Sequence, residues 1–385
     1  MRILSNPFSI WSAVIHYRFG LAAERLCLCG HSSPLLPSRR GICKLEKAVF
    51  DRGKKTAPRQ DQSGDKSPHS TWRTAHQATL HVAALCLLLF LPSVTRAAET
   101  NPLQVAVDPG SVTISSGNHP VLDYCATAAP FKPYVRELFT PGGVQILRDK
   151  VPDHKHHHGL MFAVAVDGVN FWEEAADSGI EKPRGPCELA TASFLDTTCT
   201  RVLQTLDWTD AHGKRLLVER REIGVVAAKS AAPVTLVLWN SDFSTAKGVD
   251  AVKLDGHHYF GLGMRFLQSM DSGGRFFNSA NQRGETVQGS ERLVAANWCA
   301  YTAKADGKPV TAAIFDHPSN PRHPNKIFTM TPPFAYMSAT LNLWKEPLLL
   351  KAGSKLKLRY AVAVWDGETT AAQIESLYEK WRNVP

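Results

Sequence analysis

The chain predicts an all-β fold: a large antiparallel β-sandwich closed by a C-terminal helix. Three observations carry that expectation. From residue 98 onward, short β-prone runs recur, each separated from the next by a turn rich in Gly, Pro, Asn or Asp. An Asp-Gly pair between apolar runs marks a hairpin. Helical periodicity appears only at the end of the chain.

Taken in order, residues 105–107, 111–114 and 121–124 are β-prone and are divided by Asp108-Pro109-Gly110 and Ser116-Gly117-Asn118. Residues 160–166 form an apolar strand that Asp167-Gly168 turns into 169–172. Residues 201–208 and 215–223 face each other across a turn at 210–213 and partly alternate apolar with polar, as strands with one solvated face do. Residues 234–239, 258–266, 310–315 and 355–365 supply further strands. In 369–381, Ile374, Leu377, Tyr378 and Trp381 share one helical stripe, with Thr369 or Thr370 placed to cap it.

Charge separates a leader from this domain. Residues 1–97 hold 14 of the 44 Lys and Arg and 5 of the 35 Asp and Glu, so the remainder carries 30 of each. The formal net charge of +9 therefore belongs to the leader, and the neutral remainder offers nucleic acid no basic footprint. Within the leader, residues 71–97 read as a signal peptide. The apolar run at 81–91 is too short for a comfortable membrane span, and small residues end it near Ala97. Residues 1–70 read as a disordered extension or as a start placed too far upstream. The domain is expected at 98–385, exported to the periplasm or beyond, with no membrane contact after cleavage. Cys125, Cys187, Cys199 and Cys299 remain in it, and their spacing leaves bridges and free thiols equally open.

The densest chemical signal is Pro152-Asp153-His154-Lys155-His156-His157-His158-Gly159. If the stretch is extended, His154, His156 and His158 share one face, with His157 and Asp153 on the other. Imidazoles grouped in this way can serve as acid, base or ligand to a transition metal. A second signal is the Pro-stiffened loop carrying Asp316, His317, Asn320, Arg322 and His323. Glu173, beside Trp172 and Glu174, brings a carboxylate to the hairpin after the histidines. His257 and His258 with Arg265, and Tyr134 with Arg136, are further candidates. No phosphate-cradling loop, nucleophile elbow or HExxH helix is present, which excludes three large enzyme classes.

These motifs also carry a resemblance. Lys132-Pro133-Tyr134, Thr140-Pro141-Gly142-Gly143, the histidine run, Gly168 to Glu173, the Asp316 to Pro324 loop and Trp365-Asp366-Gly367 resemble an exported bacterial family labelled methane oxygenase PmoA. The resemblance spans nearly all of 101–385. The membrane methane monooxygenase subunit of that name is a bundle of apolar spans, and this chain has none after residue 97. More broadly the chain is similar to the galactose-mutarotase-like supersandwich, in which a histidine and a carboxylate act on sugar rings.

The resemblance implies a carbohydrate or small-molecule substrate and acid–base chemistry of the epimerase, lyase or hydrolase type. His154, His156, His157, His158, Glu173 and His317 are the expected catalytic set. Tyr134, Arg136, His258, Arg265, Asp316, Asn320, Arg322 and His323 are the expected binding set. No resident cofactor is assigned, and a His-bound transition metal stays open. A non-catalytic glycan-binding module and a His-ligated, metal-dependent oxygenase are the alternatives. All of these site assignments require the two histidine-bearing loops to meet.

Overall fold

The computed structural model describes residues 103–384 apart from 129, 153, 195–196 and 229–232. The leader lies outside these residues, as does Asp153. The described residues are mostly β, in three antiparallel sheets with one terminal helix.

The first sheet has ten strands. Its order is Leu103–Asp108, Ser111–Ser116, His119–Cys125, Tyr134–Leu138, Leu160–Ala163, Gly261–Arg265, Tyr336–Thr340, Lys326–Met330, Arg292–Ala295 and Glu285–Thr286. The second has nine: Arg275–Asn278, Trp298–Ala305, Lys308–Asp316, Leu356–Asp366, Val234–Thr245, Arg215–Ala228, Thr197–Thr209 and Ile180–Pro183 in order, with Glu188–Phe194 also pairing Thr197–Thr209. A small sheet holds Leu348–Lys351, Ala251–Asp255, Ala165–Val166 and Val169–Asn170.

Side-chain alternation builds the layers. Along Leu356–Asp366, Tyr360, Val362 and Val364 enter the core between the two large sheets. Ala361, Ala363 and Trp365 point the other way, onto the helix Ala371–Arg382 through Ile374, Tyr378 and Trp381. Thr370 caps that helix, with its hydroxyl and the Gln373 side chain satisfying each other's end of the first turn. Phe162 joins the two sheets by packing on Trp208 and Phe243, with ring centroids 6.3 and 5.6 Å away.

A buried ionic knot crosses the same interface. Arg221 donates to Glu181 at 2.7 Å, to both oxygens of Glu219 at 2.8 and 2.7 Å, and to the Pro133 carbonyl at 2.9 Å. Two acids thus share one guanidinium, and burial pushes the Glu181 carboxyl up to about 8.

The Asp167-Gly168 hairpin forms as expected. Both residues take positive φ, 50° and 82°, in the twist that joins Ala165–Val166 to Val169–Asn170. Two expectations need correction. Residues 257–260 are a turn rather than strand, and the strand begins at Gly261. Residues 154–158 are not extended. The His154 amide donates to the Val151 carbonyl and the His157 amide to the His154 carbonyl, at 2.9 and 2.8 Å, so the run closes into tight turns. Cys125, Cys187, Cys199 and Cys299 are all free thiols. Among the described residues no helix is long and apolar enough to cross a membrane.

Candidate functional site

Register fixes which side chains share a face of the ten-stranded sheet. Phe162, Leu262 and Ala339 stand in one row, and Phe162 faces the second sheet. The neighbouring row of Met161, Gly263 and Ser338 therefore points to the opposite, outer face. Gly263 leaves room there that a side chain would fill. A β-carbon at that position would lie 1.7 Å from the Tyr336 hydroxyl and 3.3 Å from the Trp172 ring. Trp172 stacks on Phe260 at 4.9 Å and meets Tyr259 edge-on at 5.3 Å, giving the face an aromatic floor.

The histidine turn lies at one edge of this floor, and its four imidazoles do different work. His158 is wholly buried and stacks on Tyr134 at 3.9 Å. Its Nδ1 is 2.7 Å from Asp149 and its Nε2 is 2.6 Å from Glu174. Lys132 donates to the same Glu174 oxygen at 3.0 Å and to the Trp172 carbonyl at 3.1 Å. Tyr134 donates to Asp149 at 2.9 Å. Burial pushes the Glu174 carboxyl up, but the bonds from His158 and Lys132 outweigh it and hold the group below the usual carboxylate range. This closed network holds the base of the turn in place and offers a ligand little.

His157 is also buried. It stacks on His154 at 4.7 Å and on Tyr336 at 5.5 Å. Burial, with His156 and His154 adding to it, lowers its pKa to about 2, and its Nδ1 has no partner.

His156 and Glu173 are the accessible pair. Their Nδ1 and Oε2 lie 3.0 Å apart, and the side chains retain 19% and 42% of their exposure. Burial, then Lys132 and His154, lowers the His156 pKa to about 4, so the ring is neutral at neutral pH. Burial raises that of Glu173. A second half-buried pair lies on the same face, where His258 Nε2 is 3.1 Å from Glu291 Oε2. The His258 ring packs on Tyr259 at 5.1 Å and on Phe328 at 5.4 Å, and Phe328 stands in the outward row with Ser338. Tyr259 lies between the pairs. Its pKa is raised to about 12 by burial and then by the nearby Glu173 and Glu291 carboxylates.

The two histidine-bearing loops do not meet. Leu160 pairs with Met264, and Arg265 with Tyr336, so the histidine turn enters at that end of the sheet. Lys326 pairs with Thr340, which pairs with Gly261, so the loop carrying Asp316 to His323 enters at the other end. Its polar groups are engaged locally. Asp316 is buried and accepts from Asn320 at 2.8 Å and from both the main-chain and side-chain nitrogens of Asn325 at 2.8 and 2.9 Å, and it lies 2.7 Å from His323 Nδ1. His317 Nδ1 accepts from the Ser319 amide, while Nε2 donates to the Arg382 carbonyl at 3.2 Å. Arg322 donates to the Leu341 carbonyl at 2.7 Å.

The remaining predicted residues divide. Arg265 bears on the histidine turn by stacking under Phe334 at 4.0 Å, which in turn touches His154 and His157. It also donates to Asp271 and the Ala335 carbonyl. Arg136 is bound to Asp123 on an exposed part of its strand. Sequence reasoning passed over Asp149 and Glu174 as partners of His158, Lys132 as the donor to Glu174, and Glu291 as the partner of His258. A carboxylate 33 positions away from its histidine leaves no local signal. Among the described residues no group of three or more His, Cys, Asp or Glu is placed to hold a metal ion.

Fold and site together define a multi-sheet, mostly β protein with two half-buried histidine–carboxylate pairs on one sheet face. The chain belongs to DUF6807, a family of unknown function whose model matches residues 111–379. No curated protein matches it. Among solved structures it is similar to the GH36 α-galactosidase AgaA from Geobacillus stearothermophilus, at 11% identity and a TM-score of 0.41, covering 73% of this chain and 43% of that one. It is similar to the galactosidase domain of the α-galactosidase–sucrose kinase AgaSK, at 9% and 0.41, covering 69% and 42%. It is also similar to a galactose mutarotase related enzyme from Lactobacillus acidophilus, at 9% and 0.33, covering 70% and 99%. The chain thus spans less than half the length of either galactosidase.

Proposed function

We propose that this protein is an exported, carbohydrate-active enzyme that moves protons on a sugar or sugar derivative at the outer face of the ten-stranded sheet. The observation that carries the reading is the pairing of His156 with Glu173 and of His258 with Glu291 on either side of Tyr259. A neutral His156 whose Nδ1–H is directed to Glu173 keeps a lone pair on Nε2, which is what a general base needs. To His258, whose Nε2 lies 3.1 Å from Glu291, we assign the second proton-transfer role. Two such groups on one face serve epimerisation, elimination or hydrolysis alike. The aromatic floor suits the apolar side of a sugar ring.

The oxygenase reading implied by the methane oxygenase label requires converging metal ligands. The described imidazoles serve it poorly, because both nitrogens of His158 face carboxylates and His157 stacks flat on His154. The test is turnover of a panel of aldoses, uronic acids and their glycosides, followed by proton NMR. His156→Ala and Glu173→Gln should each lower kcat/KM by about 10²–10⁴, and the acid limb of the wild-type profile should fall near pH 4, where His156 gains its proton. Unchanged turnover in His156→Ala would sink the reading. Sugar binding with no product would make the protein a glycan-binding module instead.

A further inference from the structure

Beyond the two pairs, the same side of the molecule carries a recess that none of the chemistry above uses. It measures about 370 Å³ and is lined by Asn170, Asp255, His257, Phe260 and Trp344. That size lies at the low end of the roughly 300–1,000 Å³ typical of small-ligand sites, with room for one sugar ring.

Its composition is unusual for this protein. Of the seven described tryptophans, six are buried and only Trp344 is exposed, at 38%. An exposed indole beside a carboxylate, an amide and an imidazole offers a ring face and hydrogen-bonding groups together, which a sugar needs and a dry core contact does not. Lys345, with its Nζ 4.8 Å from the indole centroid, adds an exposed ammonium at the rim.

The recess is built rather than incidental. Arg322 ties down the loop carrying Trp344, donating to the Leu341 carbonyl at 2.7 Å and the Pro347 carbonyl at 3.4 Å and lying 3.8 Å from Glu346. His257 stacks parallel to Tyr259 at 5.7 Å and packs on Phe260 at 5.2 Å.

The recess also adjoins the proposed reaction site. Trp344 meets His258 edge-on at 5.6 Å. Phe260 stacks on Trp172. The Asn170 side-chain oxygen accepts the main-chain amides of Trp172 and Glu173, at 2.8 and 3.1 Å. One wall of the recess therefore fixes the backbone of Glu173, and another is the neighbour of His258.

We infer that this recess is a second sugar subsite, and that the ligand of this face is a glycan of two or more residues rather than a free monosaccharide. One residue stacks on Trp344 while its neighbour lies at Tyr259 between the histidine–carboxylate pairs. The inference deepens the acid–base reading and rests on it for the fate of the second residue, but the subsite itself rests on Trp344, His257, Asp255 and Asn170.

The experiment is calorimetric titration with neutral and uronic mono-, di- and tetrasaccharides, alongside the NMR turnover assay. It compares the wild-type chain with Trp344→Ala, Trp344→Phe and His156→Ala. Because Trp344 is exposed, its replacement should leave the fold intact, which circular dichroism checks. The expected result is that a di- or tetrasaccharide binds at least about tenfold more tightly than its monosaccharide. Trp344→Ala should remove that advantage, as truncation of a stacked tryptophan anchor does, and Trp344→Phe should restore part of it.

Three results would overturn the subsite: no gain with length, wild-type affinity in Trp344→Ala, or no saccharide bound at all. Di- or tetrasaccharide turnover that falls in His156→Ala but keeps its wild-type kcat/KM in Trp344→Ala would overturn the subsite and keep the acid–base reading. Trp344-dependent glycan binding without product would support the subsite and remove the acid–base reading.

Discussion

The four histidines of the 154–158 run differ because burial and partners differ. His158 has a carboxylate at each nitrogen, His157 has an unpartnered Nδ1 in an aromatic stack, and His156 faces Glu173 from a half-buried position. This has a consequence for stability against pH. Burial lowers His156 and His157 to about 4 and about 2 from the ordinary 6.5. A histidine depressed in the folded state binds fewer protons there than in the unfolded chain. Its contribution is fully present above pH 6.5, and it is lost as pH falls through that value toward the folded pKa. The urea midpoint should therefore drop between pH 6.5 and 4. His157→Phe keeps the ring and removes the titrating nitrogens, so it should flatten that drop while changing the midpoint little at pH 7.5. An equally steep drop in the variant would show that His157 takes up its proton in the folded protein as readily as in the unfolded chain. The sequence marked these residues by their density, and His156 and Glu173 do lie side by side. Which histidine remained accessible was not legible, because the turn that sorts them is made by main-chain bonds to Val151 and His154 and by distant partners such as Glu174.

Hairpins and the terminal helix were readable at the level of elements because their signals are local: a turn dipeptide, a period and a cap. The positive φ values of Asp167 and Gly168 and the Thr370 capping box are direct readings of those signals. Residues 258–260 of the turn were misread as strand because they are β-prone in isolation. There, packing of Phe260 under Trp172 and of Tyr259 between the two pairs overrides local preference. Gly263 shows how closely one element depends on another. Gly263→Ala would place its β-carbon 1.7 Å from the Tyr336 hydroxyl, so Tyr336 must move and its stack on His157 must break. Overpacking of this kind costs about 1–3 kcal/mol. A lower urea midpoint together with altered near-ultraviolet circular dichroism is the expected outcome, and an unchanged near-ultraviolet spectrum would show that the tyrosine has room to yield.

The sequence implied a sandwich for residues 98–385, but the strand order joining residues 103–163 to 261–265, 285–295 and 326–340 depends on long-range pairing that no window reveals. The same limit hid the separation of the two histidine-bearing loops, since only register shows that they enter opposite ends of one sheet. The knot at Arg221 binds the layers through Pro133, next to the Lys132 and Tyr134 that hold Glu174 and Asp149. Arg221→Met would leave Glu181 and Glu219 buried without their shared partner, a loss of about 3–5 kcal/mol, readable as a lower denaturant midpoint. A smaller loss would mean that Trp208 and Ser241, which also donate to Glu219, satisfy that carboxylate without the guanidinium. The solitary exposure of Trp344 has a practical consequence as well. In a chain shortened to begin at residue 98, and so without Trp11 and Trp72, the emission of six shielded indoles should resist iodide quenching, while that of Trp344 should not. The molecule thus carries its own optical reporter at one defined point on its surface, and whatever settles there should dim or protect a single fluorophore without any label being added.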